Sequence, residues 1–215
     1  MKSSKRLTII MLACAFVLAA SAGIITIWLN TKYAMGPSPF DFAVQEAFFA
    51  LRSDFLNSIV VAVTHCGDTI TIIVLCLLLL LLPNRLQYGL PVSIAALGGV
   101  AIYKPMKHSF LRARPDQLLH LVEQGGYSFP SGHSVTSIVV YGLLIYLIQK
   151  HCQNGKLKTP LTIVCLLFAL LIGPSRIFVG VHWPTDVLCG WLIGGAILLI
   201  AITILERIYN KNENI

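Results

Sequence analysis

LTIVCLLFALLIG (161–173) and VLCGWLIGGAILLIAITIL (187–205) are apolar runs that enclose SRIFVGVHWPTD (175–186), a segment carrying an arginine, a histidine and an aspartate. With its flanking residues each run approaches or reaches the ~20 residues that carry a helix across the ~30 Å hydrocarbon core of a bilayer, at about 1.5 Å per residue. The pair therefore reads as a hairpin of two membrane helices joined at one face by a polar turn. That reading decides the fold, because the rest of the chain has the same character.

Of the 215 residues 56% are hydrophobic and only 12% charged, and the mean hydropathy is +0.79, far from an ordinary soluble domain. Six stretches have the length and composition of spans, near 7–29, 57–82, 87–107, 132–149, 160–181 and 186–205. Pro91 and the Gly98–Gly99 pair interrupt the third, which membrane helices tolerate when neighbours pack against them. Lys2, Lys5 and Arg6, the following apolar run and Ala20-Ser21-Ala22 also fit a cleaved signal peptide. The run continues through Trp28, however, and is long enough to span, so a first membrane helix is the reading adopted. Between the first two spans, PFDFAVQEAFFALRSDF (39–55) places Phe40, Ala43, Val44, Ala47, Phe48 and Leu51 at helical spacing, with Asp41, Gln45, Glu46 and Arg52 elsewhere around the axis. This pattern suits an amphipathic helix in the outer interface, and a short re-entrant or packing helix fits it equally. With no linker, repeat or low-complexity tract, the expectation is an all-α polytopic membrane protein: six transmembrane helices, one interfacial helix, and a single domain over 1–215.

Cytoplasmic loops collect lysine and arginine. A cytoplasmic N-terminus places Lys2, Lys5, Arg6, Arg85, Lys150, Lys156, Lys158, Arg207 and Lys211 inside, and Lys32, Arg52, Lys104, Lys107, Arg112, Arg114 and Arg176 outside. Five of the outer group fall in or beside two short segments that look like a site, and without them the bias is clear. Both termini are then cytoplasmic. The six cysteines show no CxxC or Cys/His metal spacing and read as packing residues. The net charge of +7 is scattered over short loops without a nucleic-acid motif, so an anionic lipid surface accounts for it better.

KHSFLRARP (107–115) and PSGH (130–133) are the other charged segments. The chain crosses twice between His133 and Arg176, so parity alone puts Lys107, Arg114, His133, Arg176, His182 and Asp186 at one membrane face. Lys107, Arg114 and Arg176 converging there would repel one another unless an anion sat among them, and phosphate is what guanidinium groups match in a bidentate way. PSGHS reads as a helix start, with Ser131 as N-cap, Gly132 allowing close backbone approach, and free N–H groups that favour an anion. In HWPTD, Pro184 suits an early helical position, and the four-residue spacing lets Asp186 fix the tautomer of His182, leaving its other nitrogen free to attack phosphorus. Alone, PSGH would be a turn opening a membrane helix, and HxxxD an interfacial pair with Trp183 in an aromatic belt.

Together, Lys107-x6-Arg114-Pro115, Pro130-Ser131-Gly132-His133 and Ser175-Arg176-x5-His182-x3-Asp186 resemble the three-part signature of the type 2 phosphatidic acid phosphatase superfamily, intact and in order. The resemblance implies metal-independent phosphate-ester hydrolysis at the outer membrane face, with no cofactor. It makes His182 the nucleophile, Asp186 its partner and His133 the general acid, with Lys107, Arg114, Arg176, Ser131 and Gly132 holding the phosphoryl group. A zinc site from His133, His182 and Asp186 is disfavoured, since three adjacent cations oppose a metal cation. Lys104 reads as a snorkelling lysine, His65 and Asp68 as interfacial polar groups, and Arg112 fits a contact with substrate or headgroups but is left without a role. The expected substrate is a lipid phosphate in a bacterial plasma membrane, undecaprenyl diphosphate first and phosphatidylglycerophosphate close behind, with loop 116–129 shaping access. No nucleic-acid or obligate protein partner is expected. A phosphotransferase using the same phosphohistidine, and a noncatalytic lipid-phosphate binder or transporter, are the competing readings, and the latter has no use for both histidines.

Overall fold

The computed structural model describes residues 2–212. Met1 and residues 213–215, at the two ends placed in the cytoplasm from sequence, lie outside the described residues, as do the side chains of Lys2, Ser3, Ser4 and Asn212. The described chain is helical: α1 (Lys2–Tyr33), α2 (Pro39–Phe49), α3 (Asp54–His65), α4 (Thr69–Leu81), α5 (Gly89–Phe110), α6 (Gly132–His151), α7 (Gly155–Phe178) and α8 (Pro184–Asn212), with a 3₁₀ turn at Gln117–Leu119. Helices α1, α5, α6, α7 and α8 are long and apolar enough to cross a membrane, and α2 with α3, bent by 120°, form a broken span or a re-entrant loop.

Helix α6 is the core. Val135, Val139, Val140, Leu143 and Leu147 are buried among α5, α7 and α8, and the outward faces of α1, α4 and α7 carry exposed leucines and isoleucines, as expected where lipid replaces water. Small residues set the close contacts, because backbones that approach closely gain van der Waals packing without a hydrophobic drive between helices. On α8, a Cβ at Gly190 would stand 2.8 Å from the Ser131 carbonyl oxygen, and one at Gly194 2.8 Å from that of Val135. This four-residue glycine spacing presses the start of α6 against the start of α8, and so puts PSGH beside His182 and Asp186. Ala15, Ala22, Thr26 and Leu29 form the buried stripe of α1, which packs along α8. The first apolar run is thus packed into the bundle as one of its helices.

One expectation is corrected. The second span does not run unbroken over 57–82: the chain turns at Cys66–Asp68, and α4 covers only thirteen residues, about 20 Å at helical rise. The break is built in, since a Cβ at Gly67 would lie 2.6 Å from Ile172 Cγ2 and 2.9 Å from the His133 ring. The helix between the first two spans is α2, and its polar face is the one that meets the protein. Asp41 and Gln45 of α2 are buried while Phe40, Phe42 and Leu51 nearby are exposed, because Asp41 has a buried cation to meet. Ser38 caps α2, its Oγ accepting from the Asp41 N–H while the Asp41 carboxylate accepts from the Ser38 N–H, a reciprocal cap that fixes where Asp41 points. Arg52, in the α2–α3 turn, donates to the Phe178 carbonyl at 2.5 and 3.0 Å and ties this outer layer to the end of α7.

Candidate active site

The ends of α5, α7 and the starts of α6 and α8 meet at one end of the bundle. Each element delivers one part of the site: Lys107 from the last turn of α5, His133 from the first turn of α6, Arg176 from the last turn of α7 and Asp186 from the first turn of α8. Arg114 follows α5, which stops at Leu111 in the left-handed conformation (φ 51°), and His182 lies in the tight α7–α8 turn after Gly180 (φ 83°). Gly180 has no room for a side chain, since a Cβ there would meet the Leu119 carbonyl oxygen at 2.6 Å. Lys107, Arg114, Gly132, His133 and His182 line a common cavity of about 100 Å³ with Gly67, Thr69, Tyr103, Gln124 and Thr136.

His182 is 1% exposed, and its partners settle its tautomer. Arg114 Nη1 lies 3.2 Å from His182 Nε2, and a guanidinium can only donate, so Nε2 is the lone-pair nitrogen. Nδ1 then carries the proton and faces Asp186 Oδ2 and Ser128 Oγ, each at 3.3 Å. Burial, reinforced by Arg114, Lys107, Arg176 and His133, holds His182 well below the usual imidazole value, so the neutral imidazole is the resting form. Asp186, fully buried, accepts in turn from the Ser128 hydroxyl at 2.5 Å and the Trp183 N–H at 2.9 Å. Trp183 is itself buried and donates its indole N–H to the Ala113 carbonyl, so it belongs to the site's frame and not to an aromatic belt.

Arg112, left without a role by the sequence, anchors this frame. It is 1% exposed and every donor of its fork is used: Nε on the Met35 carbonyl, Nη1 on Thr185 Oγ1 and Asp186 Oδ1, Nη2 on the Gly36 carbonyl and Asp41 Oδ2. Its ion pairs with Asp186 (2.5 Å) and Asp41 (2.9 Å) have no solvent exposure on either side. Asp41 also accepts from the N–H and hydroxyl of Thr185. A buried carboxylate is costly unless paired, and Arg112 makes an ionised Asp186 tenable behind the histidine.

The cationic cradle is held open by backbone. Lys107 Nζ donates to the Tyr127 and Ser128 carbonyls at 2.7 and 3.0 Å, and Arg114 to those of Gly125, Gly126, Tyr127 and Val181. Burial brings Arg114 down to about 10, still charged at neutral pH. Arg176, 1% exposed, binds Thr64 Oγ1 and Gln124 Oε1, while its Nε is buried without a partner. Ser131 does not line the cavity: its hydroxyl oxygen accepts from the Ser134 N–H and hydroxyl as the cap of α6. Gly132 is required by Tyr103, whose ring would lie 2.9 Å from a Cβ there, rather than only by a ligand. Asp68, read from sequence as an interfacial group, pairs with His133 at 2.8 Å. That hydrogen bond brings its carboxyl down to about 2. Among the described residues no group of three or more His, Cys, Asp or Glu side chains is arranged to hold a metal ion.

The signature residues thus meet in space, and they meet within a recognised family. A family model for the PAP2 superfamily matches residues 88–209. The chain belongs to the PAP2 superfamily. Its PAP2 relatives include phosphatidylglycerophosphatase B of Bacillus subtilis, 31% identical over 158 residues, 72% of this chain and 77% of the relative. An undecaprenyl-diphosphatase of Sulfolobus acidocaldarius is 30% identical over 156 residues, 69% of this chain and 70% of the relative. The crystal structure of a transmembrane PAP2-type phosphatidylglycerolphosphate phosphatase from Bacillus subtilis is similar over 94% of this chain and 96% of that one, with a TM-score of 0.74 and 26% identity. The PAP2 likeness therefore extends through the helices that precede the matched residues.

Proposed function

We propose that this PAP2 protein hydrolyses a lipid phosphate at the extracytoplasmic face of the membrane through a phosphohistidine on His182. The observation that carries the lipid reading is that the polar cavity opens into an apolar groove. Gly67, Thr69, Tyr103 and Thr136 belong to both, and the groove continues between α4 and α5 over Ile72, Ile73, Cys76, Leu77, Ala96, Leu97 and Val100, with a volume of about 380 Å³. A phosphate headgroup fits the cationic end while its chains lie along the groove, facing the bilayer. Lys104, which also lines the groove, sits where a snorkelling lysine meets a headgroup.

In this mechanism Lys107, Arg114 and the free Nε of Arg176 bind the phosphoryl oxygens, exchanging some of their contacts with segment 124–128 for substrate. Fixed cations at the equatorial oxygens stabilise the transition state. Nε2 of His182 attacks phosphorus, Asp186 stabilises the imidazolium that forms, and His133 protonates the departing oxygen. Water then releases phosphate from His182.

Between the two lipids ranked from sequence, the site favours phosphatidylglycerophosphate over undecaprenyl diphosphate. The Asp68 carboxylate stands against His133, on the leaving-group side, where an alkoxide depends on a general acid to depart and a second, anionic phosphate would meet a like charge. The phosphatidylglycerophosphatase of Bacillus subtilis is also the relative with the broader overlap. Undecaprenyl diphosphate is the second reading, supported by the undecaprenyl-diphosphatase relative. Phosphate release by the purified protein in detergent with EDTA, with both lipids offered side by side and His182→Ala as control, tests the choice. Release from phosphatidylglycerophosphate that survives EDTA and disappears in the variant is expected. Preference for the diphosphate would reverse the ranking, and release unaffected by His182→Ala would overturn the mechanism.

A further inference from the structure

Asp68 lies at the break where a continuous second span was expected. It is the N-cap residue of α4, yet its side chain makes no cap hydrogen bond. Both carboxylate oxygens turn to imidazoles, Oδ1 to His133 Nε2 at 2.8 Å and Oδ2 to His65 Nδ1 at 2.6 Å. The turn is shaped for this contact: Gly67 admits no Cβ because His133 Cδ2 and Ile172 Cγ2 occupy its place. His133 itself is held on the first turn of α6. An ionised carboxylate can only accept, so His133 Nε2 carries a proton, and Nδ1 is the ring nitrogen left for a substrate oxygen. For Nδ1 to donate while Nε2–H remains on Asp68, the ring must be doubly protonated, and a carboxylate bonded to one ring nitrogen favours that form.

We propose that Asp68 is the positioning residue of the general acid: it holds His133 by Nε2–H, turns Nδ1 to the leaving oxygen, and stabilises the imidazolium that donates. The proposal rests on the acid role assigned to His133 above. As the His182 Nε2–P bond forms and the P–O bond breaks, the Nδ1 proton passes to the departing alkoxide and leaves an alcohol and a neutral His133. When water attacks phosphorus, His133 Nδ1 takes a proton from that water and the P–N bond breaks, with its electron pair returning to Nε2. Inorganic phosphate leaves and His133 is an imidazolium again. His65, 57% exposed at its side chain, braces the second oxygen of Asp68 from outside.

Such a role makes the cost of losing Asp68 depend on how much the leaving group needs a proton, which a purely structural role does not. The experiment compares kcat/KM, which reports the steps through leaving-group departure, for a short-chain phosphatidic acid and for 4-nitrophenyl phosphate. The second substrate expels a phenolate that needs little protonation. Unaltered protein, Asp68→Asn and His133→Ala are compared in detergent, with thermal unfolding in parallel. General acids contribute about 10²–10⁴-fold. The ratio of aryl to alkyl kcat/KM is expected to rise about tenfold or more in Asp68→Asn, and further in His133→Ala. A ratio in Asp68→Asn equal to that of the unaltered protein, whether both substrates lose activity or neither does, overturns the proposal. An unchanged ratio in His133→Ala removes the acid role and Asp68 with it, while the dependence of phosphate release on His182 is judged separately.

Discussion

Arg112 shows how the proposed chemistry of His182 depends on a side chain that never touches it. Its guanidinium joins Asp41, Thr185 and Asp186 in a site without solvent, and removing one partner of a buried ion pair strands the others at about 3–5 kcal/mol. Arg112→Met is accordingly expected to lower the unfolding temperature in detergent sharply and to cut kcat more than it raises KM. Asp41→Asn, which keeps shape and two of the contacts, should cost less of both, and an Arg112→Met protein with ordinary stability and turnover would contradict this role. Asp68 carries a pH dependence of known sign. Its carboxyl is depressed from an ordinary 3.8 to about 2, so the stability it adds is complete above 3.8 and is lost as pH falls through 2. The difference in unfolding temperature between the unaltered protein and Asp68→Asn should be present at pH 5 and shrink below pH 4. A difference that instead grows toward low pH would contradict the ion pairing.

At the level of elements, the site exists because α6 and α8 start side by side, and glycines at 190 and 194 permit it. Gly190→Leu would drive a side chain into the Ser131 carbonyl and the Ser134 Cβ, both 2.8 Å from its Cβ. Overpacking of this kind costs about 1–3 kcal/mol, and here it also separates His133 from His182. Gly190→Leu should therefore lose activity beyond its loss of stability, whereas Gly98→Leu, at a glycine with open space around it, should lose little of either. Equal losses for the two would mean that the α6–α8 contact does not set the site. The elements legible in the sequence were those whose signal is local: the five long apolar helices, the Ser131 and Pro184 helix starts, and the three signature segments with their cations and histidines. What stayed hidden is tertiary. Helix α2 presents Asp41 inward because Arg112 waits there, and no periodicity records a partner 71 residues away. The break at Gly67 falls in THCGDT (64–69), a polar interruption of the apolar run, but its reason lies in His133, and Ser128 and Gln124 gain their roles from a loop fold that composition does not specify. The one signal that pointed to Asp68 was its three-residue spacing from His65, which an interfacial pair would share.

For the molecule as a whole, the bundle separates two environments along one path, a cationic cavity at the end of the helices and an apolar groove along α4 and α5. Narrowing the groove should penalise substrates by their chains. Val100→Trp is expected to raise KM for a long-chain lipid phosphate severalfold more than for 4-nitrophenyl phosphate, and an equal change for the two would indicate that the chains bind elsewhere. The central claim is that His182, neutral and oriented by Asp186, takes the phosphoryl group. The most direct measurement is to mix the purified protein, in EDTA, with a short-chain lipid phosphate labelled in its phosphate, quench within the first turnovers in alkali, and look for label on the chain. The account predicts label that is stable to alkali, labile to acid, located on the peptide containing His182, and missing from His182→Ala. Turnover without labelled protein, or label that persists in His182→Ala, would contradict it.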